Sequence, residues 1–310
     1  MKKTNPSQET RGFWRLYHRA MREGDAVTAV TIARRAARMY TKAADDRLAG
    51  MWRRALSKAL FHGGDLGAAH RAAYRASINQ PDQYERALSL VNFAAIATLL
   101  DRHGDALGYF DVAARVSEEF PDDAYLWGHF YGARALTYKR TGRHNRAIID
   151  SEAAIAMLEQ TGEYAGAAML ANNIANLLME LGCHEEAENR LRTALKSLKK
   201  RPVPHYKAVF QDSLGYLYVL EESYDKALKL LTKSEEGFTK LGDKPQLIGT
   251  VLHLAELFER KHSWVKARRH AARAVELATE IGDAKLFAKA EEILTRLPSL
   301  TLVEELVTSY

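Results

Sequence analysis

A single cysteine, Cys183, in 310 residues excludes an intrachain disulfide and any multi-cysteine metal site, and it agrees with a reducing compartment. Long apolar runs are missing as well. No stretch approaches the ~18 uninterrupted apolar residues of a membrane span, and the N-terminal MKKTNPSQETRG is polar with no apolar region behind it, so a cytoplasmic chain with no membrane partner is expected. There is no GxxxxGK[ST], no GxGxxG after a strand, no HExxH and no GxSxG. The 11 histidines are scattered, with no pair at i, i+4 on one face. An enzyme, a metal site or a cofactor is therefore not expected. Cys183 stands beside His184 in a turn, with no third group to orient the pair, and is read as incidental. Strand-like alternation is almost absent, so the fold expected is all-α.

What is present is repetition. The segments GDAVTA from Gly24, GDLGAA from Gly64, GDALGY from Gly104, GRHNRA from Gly142, GCHEEA from Gly182, ESYDKA from Glu222 and HSWVKA from His262 end at Ala29, Ala69, Tyr109, Ala147, Ala187, Ala227 and Ala267, with spacings of 40, 40, 38, 40, 40 and 40. Seven positions after each stand Ala36, Ala76, Val116, Ala154, Ala194, Ser234 and Ala274. Twelve before stand Tyr17, Ser57, Ala97, Ala135, Ala175, Gly215 and Ala255. Small residues at helical spacing let two helices approach closely, and a glycine or polar turn between them lets the chain reverse, so each unit reads as a helical hairpin. Pro81, Pro121, Pro202, Pro204, Pro245 and Pro298 are expected between helices, because proline has no N–H and its ring clashes with the preceding turn.

The stretch LGYLYVLEESYDKALKLLTKS, Leu214 to Ser234, resembles a tetratricopeptide repeat (TPR) in both helices, and the pattern recurs over residues 10 to 281. The family's period is ~34 residues, so longer helices are implied here. Such enlarged repeats resemble bacterial signalling modules, including the peptide-pheromone receptors of the Rap and PlcR type and the sensor domains of some transcription activators. The architecture expected is a right-handed α-solenoid of seven hairpins, near 8–42, 45–79, 83–119, 122–159, 164–199, 203–241 and 244–281, in one continuous core with fifteen helices. Phe287, Ala290, Leu294 and Leu297 form the stripe of a capping helix over 283–297, and 298–310 is a short amphipathic tail with a capping box at Thr301 and Glu304. A first repeat starting near residue 10 leaves no room for an N-terminal helix-turn-helix, so no DNA-binding domain is expected.

In MLANNIANLLMELG, Met169 to Gly182, the buried stripe is expected to be Ala171, Ile174, Ala175 and Leu178, which turns Asn172, Asn173 and Asn176 to the opposite side. The resemblance implies that this side of each first helix lines a concave groove. There, amides can pair with the backbone of an extended peptide; the plainer reading is solvated polar residues on an open face. The same geometry on the other first helices selects Arg11, Trp14, Arg15 and His18, then Arg54 and Lys58, Thr98, His129, Asp212, Ser213 and Tyr216, and finally His253 and Glu256. Peptide-binding candidates are Arg15, Arg54, Lys58, His129, Asn172, Asn173, Asn176, Asp212 and Tyr216. Trp14 is either an anchor or part of an end cluster with Phe13 and Leu16, and the cluster is preferred.

Charge is distributed unevenly: residues 1–80 carry 16 Lys/Arg against 6 Asp/Glu, and the remainder 29 against 33, within a net +6. Arg34, Arg38 and Lys42 form one row at helical spacing, and Arg11, Arg15 and Arg19 another. The function expected is a non-catalytic scaffold in bacterial signalling that binds a peptide or protein segment, acidic where it meets Arg15, Arg54 and Lys58. The alternative is an RNA- or DNA-binding solenoid using the basic N-terminal third.

Overall fold

The computed structural model describes residues 6–78, 80–198 and 203–298, and these form fifteen helices and no strand. They follow as hairpins: α1 (Pro6–Arg22) with α2 (Ala26–Lys42), α3 (Asp46–His62) with α4 (Leu66–Ile78), α5 (Gln83–Leu99) with α6 (His103–Ser117), and α7 (Ala124–Arg140) with α8 (His144–Gln160). Next come α9 (Tyr164–Glu180) with α10 (His184–Ser197), α11 (Pro204–Leu220) with α12 (Tyr224–Leu241), α13 (Lys244–Arg260) with α14 (Trp264–Ile281), and a last single helix, α15 (Ala284–Arg296). The all-α, TPR-like stacking of hairpins is as expected. Instead of one continuous core, the contacts group into two compact units, residues 1–167 and 168–310, with the division inside α9.

Local chemistry sets the helix ends. Asp25, Asp45, Asp65, Asp82, Asp123, Asp243 and Asp283 each accept a hydrogen bond from a backbone N–H three residues on. Within six of the seven hairpins, the first residue of the quoted turn segment takes the left-handed conformation: Gly24, Gly64, Gly142, Gly182, Glu222 and His262. The third hairpin differs. Its left-handed residue is Asp101, and Gly104 lies inside α6, so the register there runs three residues earlier than the sequence reading placed it. The small buried positions are accordingly Ala94, Ala106 and Ala113; Ala97 is buried as well, but Tyr109 and Val116 are only half-buried, and Tyr109 packs its ring against Phe93 at 4.4 Å. With that shift, every hairpin has a buried alanine five residues after its left-handed residue. Pro204 and Pro245 do not lie between helices; they occupy the first turns of α11 and α13, where a missing N–H costs nothing. Pro202 and the 299–310 part of the tail, with Thr301 and Glu304, lie outside the described residues.

In unit 1, α3, α5 and α7 pack on one another as well as on the second helices beside them, so the first helices are drawn together and the second helices diverge. The same holds for α11, α13 and α15 in unit 2. The core of unit 1 begins with Tyr17, Ala29, Ala33, Ala36, Tyr40 and Trp52, against which Phe13 and Trp14 pack, while Leu16 is exposed. In unit 2, Ala267, Ala271, Ala274 and Ala278 of α14 meet Val251, Leu252 and Ala255 of α13 and Ala290 and Ile293 of α15. The covering stripe of α15 is thus centred on Ala290, Ile293 and Leu297, with Phe287 and Leu294 at its margin. Arg268 Nη1 donates to the carbonyl of Leu297 at 2.9 Å and so closes the C-terminal end of that helix.

Gly215 shows why these positions are small. A Cβ there would lie 2.8 Å from Leu231 Cγ and 3.2 Å from the Leu231 backbone nitrogen, which cannot retreat without moving α12. Gly249 in α13 has nothing within 4 Å. Gly215→Ala is expected to destabilise by about 1–3 kcal/mol through overpacking, while Gly249→Ala should stabilise by up to about 1 kcal/mol through helix propensity. Denaturant titration of the two variants checks the opposite signs.

Candidate functional site

On the first-helix face of unit 1, Arg54 of α3 reaches α5, where its Nη2 lies 2.8 Å from Oε2 of the buried Glu85. Glu85, 31 residues away, also accepts from Arg54 Nε at 2.9 Å, so part of the guanidinium is already engaged within the chain. Lys58, one turn on, is exposed and has no ion-pair partner among the described residues, and Arg15 is exposed on α1 with no bond to either of them. Tyr17 donates to the carbonyl of Ala55 at 2.8 Å, and burial pushes its phenol up to about 12 against the pull of Arg54.

Two positions on α7 complete this face. Tyr125 and His129 stand one turn apart with ring centroids 4.4 Å apart. The Tyr125 phenol is raised, chiefly by burial, with Arg54 opposing and Glu163, Glu85 and Asp123 adding. His129 Nε2 is buried and has no hydrogen-bond partner among the described residues. The sequence reading found Arg54, Lys58 and His129 but missed Glu85 and Tyr125, which its selection of outward positions passed over. Thr98, selected then, is buried and shares a 2.6 Å hydrogen bond with Thr137. Trp14 lies half-buried in the end cluster, stacked on Trp52 at 3.9 Å.

In unit 2 the corresponding face is made by α9, α11 and α13. The asparagines are half-buried rather than fully outward, because Leu170 and Leu177 widen the buried stripe of α9 and Ala171 is only partly covered. Asn172 Oδ1 accepts from Ser213 Oγ at 2.8 Å, so that amide holds α9 to α11. Asn173 and Asn176 make no hydrogen bond among the described residues. Asp212 pairs with His253 Nδ1 at 3.0 Å, and the His253 ring stacks on Tyr216 at 4.3 Å. The Tyr216 phenol is raised by burial first and by Glu256 next. Asp212 and Tyr216 are therefore fixed by neighbours, whereas Asn173 and Asn176 present free amides.

Burial holds four imidazoles below their ordinary range: His62, His70 and His129 in unit 1 and His270 in unit 2; at His129 the charge of Lys58 adds to it. Such a group takes up a proton more readily in the unfolded chain, so each unit loses stability as pH falls through about 6.5 toward the lower folded value. The denaturation midpoint is expected to be level above about pH 7 and to decline below 6.5, with a shallower decline in His129→Gln. A midpoint that rises on mild acidification would contradict this.

Cys183 is exposed at the start of α10. Among the described residues, no group of three or more His, Cys, Asp or Glu is placed to hold a metal ion, and no helix is long and apolar enough to cross a membrane.

Residues 166–240 match the tetratricopeptide repeat family model. No curated protein sequence matches the chain. Among solved structures, a Signal Transduction ATPase with Numerous Domains protein with a tetratricopeptide repeat sensor, from Pyrococcus horikoshii, superposes with a TM-score of 0.69 at 15% identity over 94% of this chain. The chain spans 46% of that protein's length. A Rap protein complexed with competence and sporulation factor superposes with a TM-score of 0.58 at 14% identity, covering 94% of this chain and 98% of that one. The apo form of the quorum sensor NprR from B. thuringiensis gives 0.66 at 15% identity, covering 94% and 81%. The repeat match over residues 166–240, the sequential hairpins and these superpositions give the chain a TPR-like fold, structurally similar to those of a Rap protein and of NprR.

Proposed function

We propose that the chain is a non-catalytic scaffold in signalling or regulation, and that the first-helix faces of its units hold a peptide or an extended protein segment. The observation that carries this reading is the set of half-buried polar groups left without partners there: His129 Nε2 in unit 1, Asn173 and Asn176 in unit 2. A desolvated nitrogen such as His129 Nε2 costs free energy until something pairs with it, and the amides of Asn173 and Asn176, which are not cut off from water, can each donate to a backbone carbonyl while accepting from a backbone N–H. Lys58 beside His129 and Tyr125 would favour an acidic group in the segment bound by unit 1. The fold likeness to a Rap protein complexed with a factor supports the same reading.

Selection of immobilised random heptapeptides tests it. The wild-type chain is expected to enrich defined sequences; Lys58→Glu with His129→Ala should lose those held by unit 1, and Asn173→Ala with Asn176→Ala those held by unit 2. The second pair should leave stability equal or slightly raised, since alanine is the better helix former, whereas Asn172→Ala should cost about 1 kcal/mol by stranding Ser213. If nothing is enriched, or the variants select as the wild type does, the faces are ordinary solvated surface.

A further inference from the structure

Because the second helices diverge, α2 and α4 leave a cavity between them, about 730 Å³ in volume, with α3 at its base. Its charged lining is all of one sign: Arg34, Arg38 and Lys42 from α2, Arg53 from α3, and Arg71 and Arg75 from α4, with no carboxylate among the lining residues. Elsewhere in unit 1, arginines find counter-charges, as Arg54 does in Glu85 and Arg134 in Asp150. None of these six cations has an ion-pair partner among the described residues.

The base of the cavity carries the second observation. Arg53 Nη2 donates to Thr41 Oγ1 at 2.9 Å, but its Nη1 is buried with nothing to bond to. Six like charges around one hollow repel each other, and an oxyanion with several negative oxygens relieves that repulsion while accepting from the exposed guanidinium N–H groups. The remaining wall is apolar, with Leu56, Leu60 and Ile78 offering a surface that a bare inorganic anion would not use. The volume lies within the ~300–1,000 Å³ of small-molecule sites.

We propose that this cavity binds a small phosphorylated ligand of the nucleoside polyphosphate class, with its phosphates among the arginines and its nucleoside against Leu56, Leu60 and Ile78. The cations come from three helices that line one open hollow, rather than running as one track along the surface, which favours a compact ligand over a strand of nucleic acid. The site uses residues of α2, α4 and the part of α3 between them, and shares no residue with the peptide-binding faces.

Calorimetric titration of the full chain with adenosine triphosphate, inorganic tripolyphosphate, a short single-stranded RNA and a glutamate-rich peptide tests the assignment. Adenosine triphosphate should bind more tightly than the other three, with an affinity that falls as salt is raised. Arg38→Glu with Arg71→Glu, both exposed and so harmless to folding, should weaken it by about tenfold or more. Arg53→Met, which keeps the apolar stem, should weaken binding while leaving the melting temperature equal or higher. Lys58→Glu with His129→Ala should leave nucleotide binding unchanged, which separates this site from the peptide reading. Absence of binding by adenosine triphosphate, or equal binding by the charge-reversed variant, overturns the proposal. Tighter binding of RNA or of the glutamate-rich peptide overturns the choice of ligand, and equal binding of tripolyphosphate removes the nucleoside from it.

Discussion

Trp52→Ala is expected to destabilise unit 1 by about 3–5 kcal/mol, seen as a lowered denaturant midpoint of the full chain. The indole is fully buried on α3 and is the largest of the completely enclosed side chains. It stacks on Trp14 at 3.9 Å and meets Phe13 and Tyr17 edge-on at 6.0 and 5.9 Å, so its loss leaves a hole bordered by three further rings from α1. No hydrogen bond is given up, because Nε1 is buried without a partner. The whole cost is therefore packing and cavity, and Trp52→Phe, which refills most of the volume, should recover the greater part of it. A loss below about 1 kcal/mol in Trp52→Ala would mean that α1 collapses into the space, contrary to the close-packed core described.

Asp150→Ala should cost about 3 kcal/mol by stranding a charge. Asp150 on α8 is 5% exposed and binds the Arg134 guanidinium of α7 in a fork, with Nε to Oδ2 at 2.7 Å and Nη2 to Oδ1 at 3.0 Å. The guanidinium also lies over the rings of Phe130, Tyr131 and Tyr138 at 4.8, 5.4 and 5.5 Å. Burial works against the charge, yet the hydrogen bond and attraction of Asp150 outweigh it and hold the arginine above its ordinary range. Removing the carboxylate leaves the cation among aromatic rings with no counter-charge. Replacing both partners, Arg134→Met with Asp150→Ala, should restore part of the loss, since a desolvated pair costs nearly as much as it returns. A double variant less stable than Asp150→Ala alone would show that stacking of Arg134 on its rings matters more than its pairing.

The sequence by itself determined the helices, the hairpin turns and the small positions where helices cross, because each is a local property repeated about every forty residues. Glycine or a polar residue marks the left-handed turn, aspartate accepts from the N–H three residues on, and alanine marks the closest approach. The third hairpin shows the limit: GDALGY reads as a turn, but Asp101 takes the left-handed conformation and Gly104 enters the helix, a choice made by the burial of Ala106 and Phe110. Only the tertiary structure decided which polar residues are free. Arg54 with Glu85, Asn172 with Ser213 and Asp212 with His253 pair across 31, 41 and 41 residues, between neighbouring hairpins. Whether two such side chains meet depends on how one helix crosses the next, which no single hairpin encodes. The same reason hid the basic cavity. Arg34, Arg38 and Lys42 were visible as a row, but the facing Arg71 and Arg75, and Arg53 between them with no counter-charge, become a site only when packing on α3 sets α2 and α4 on either side of it.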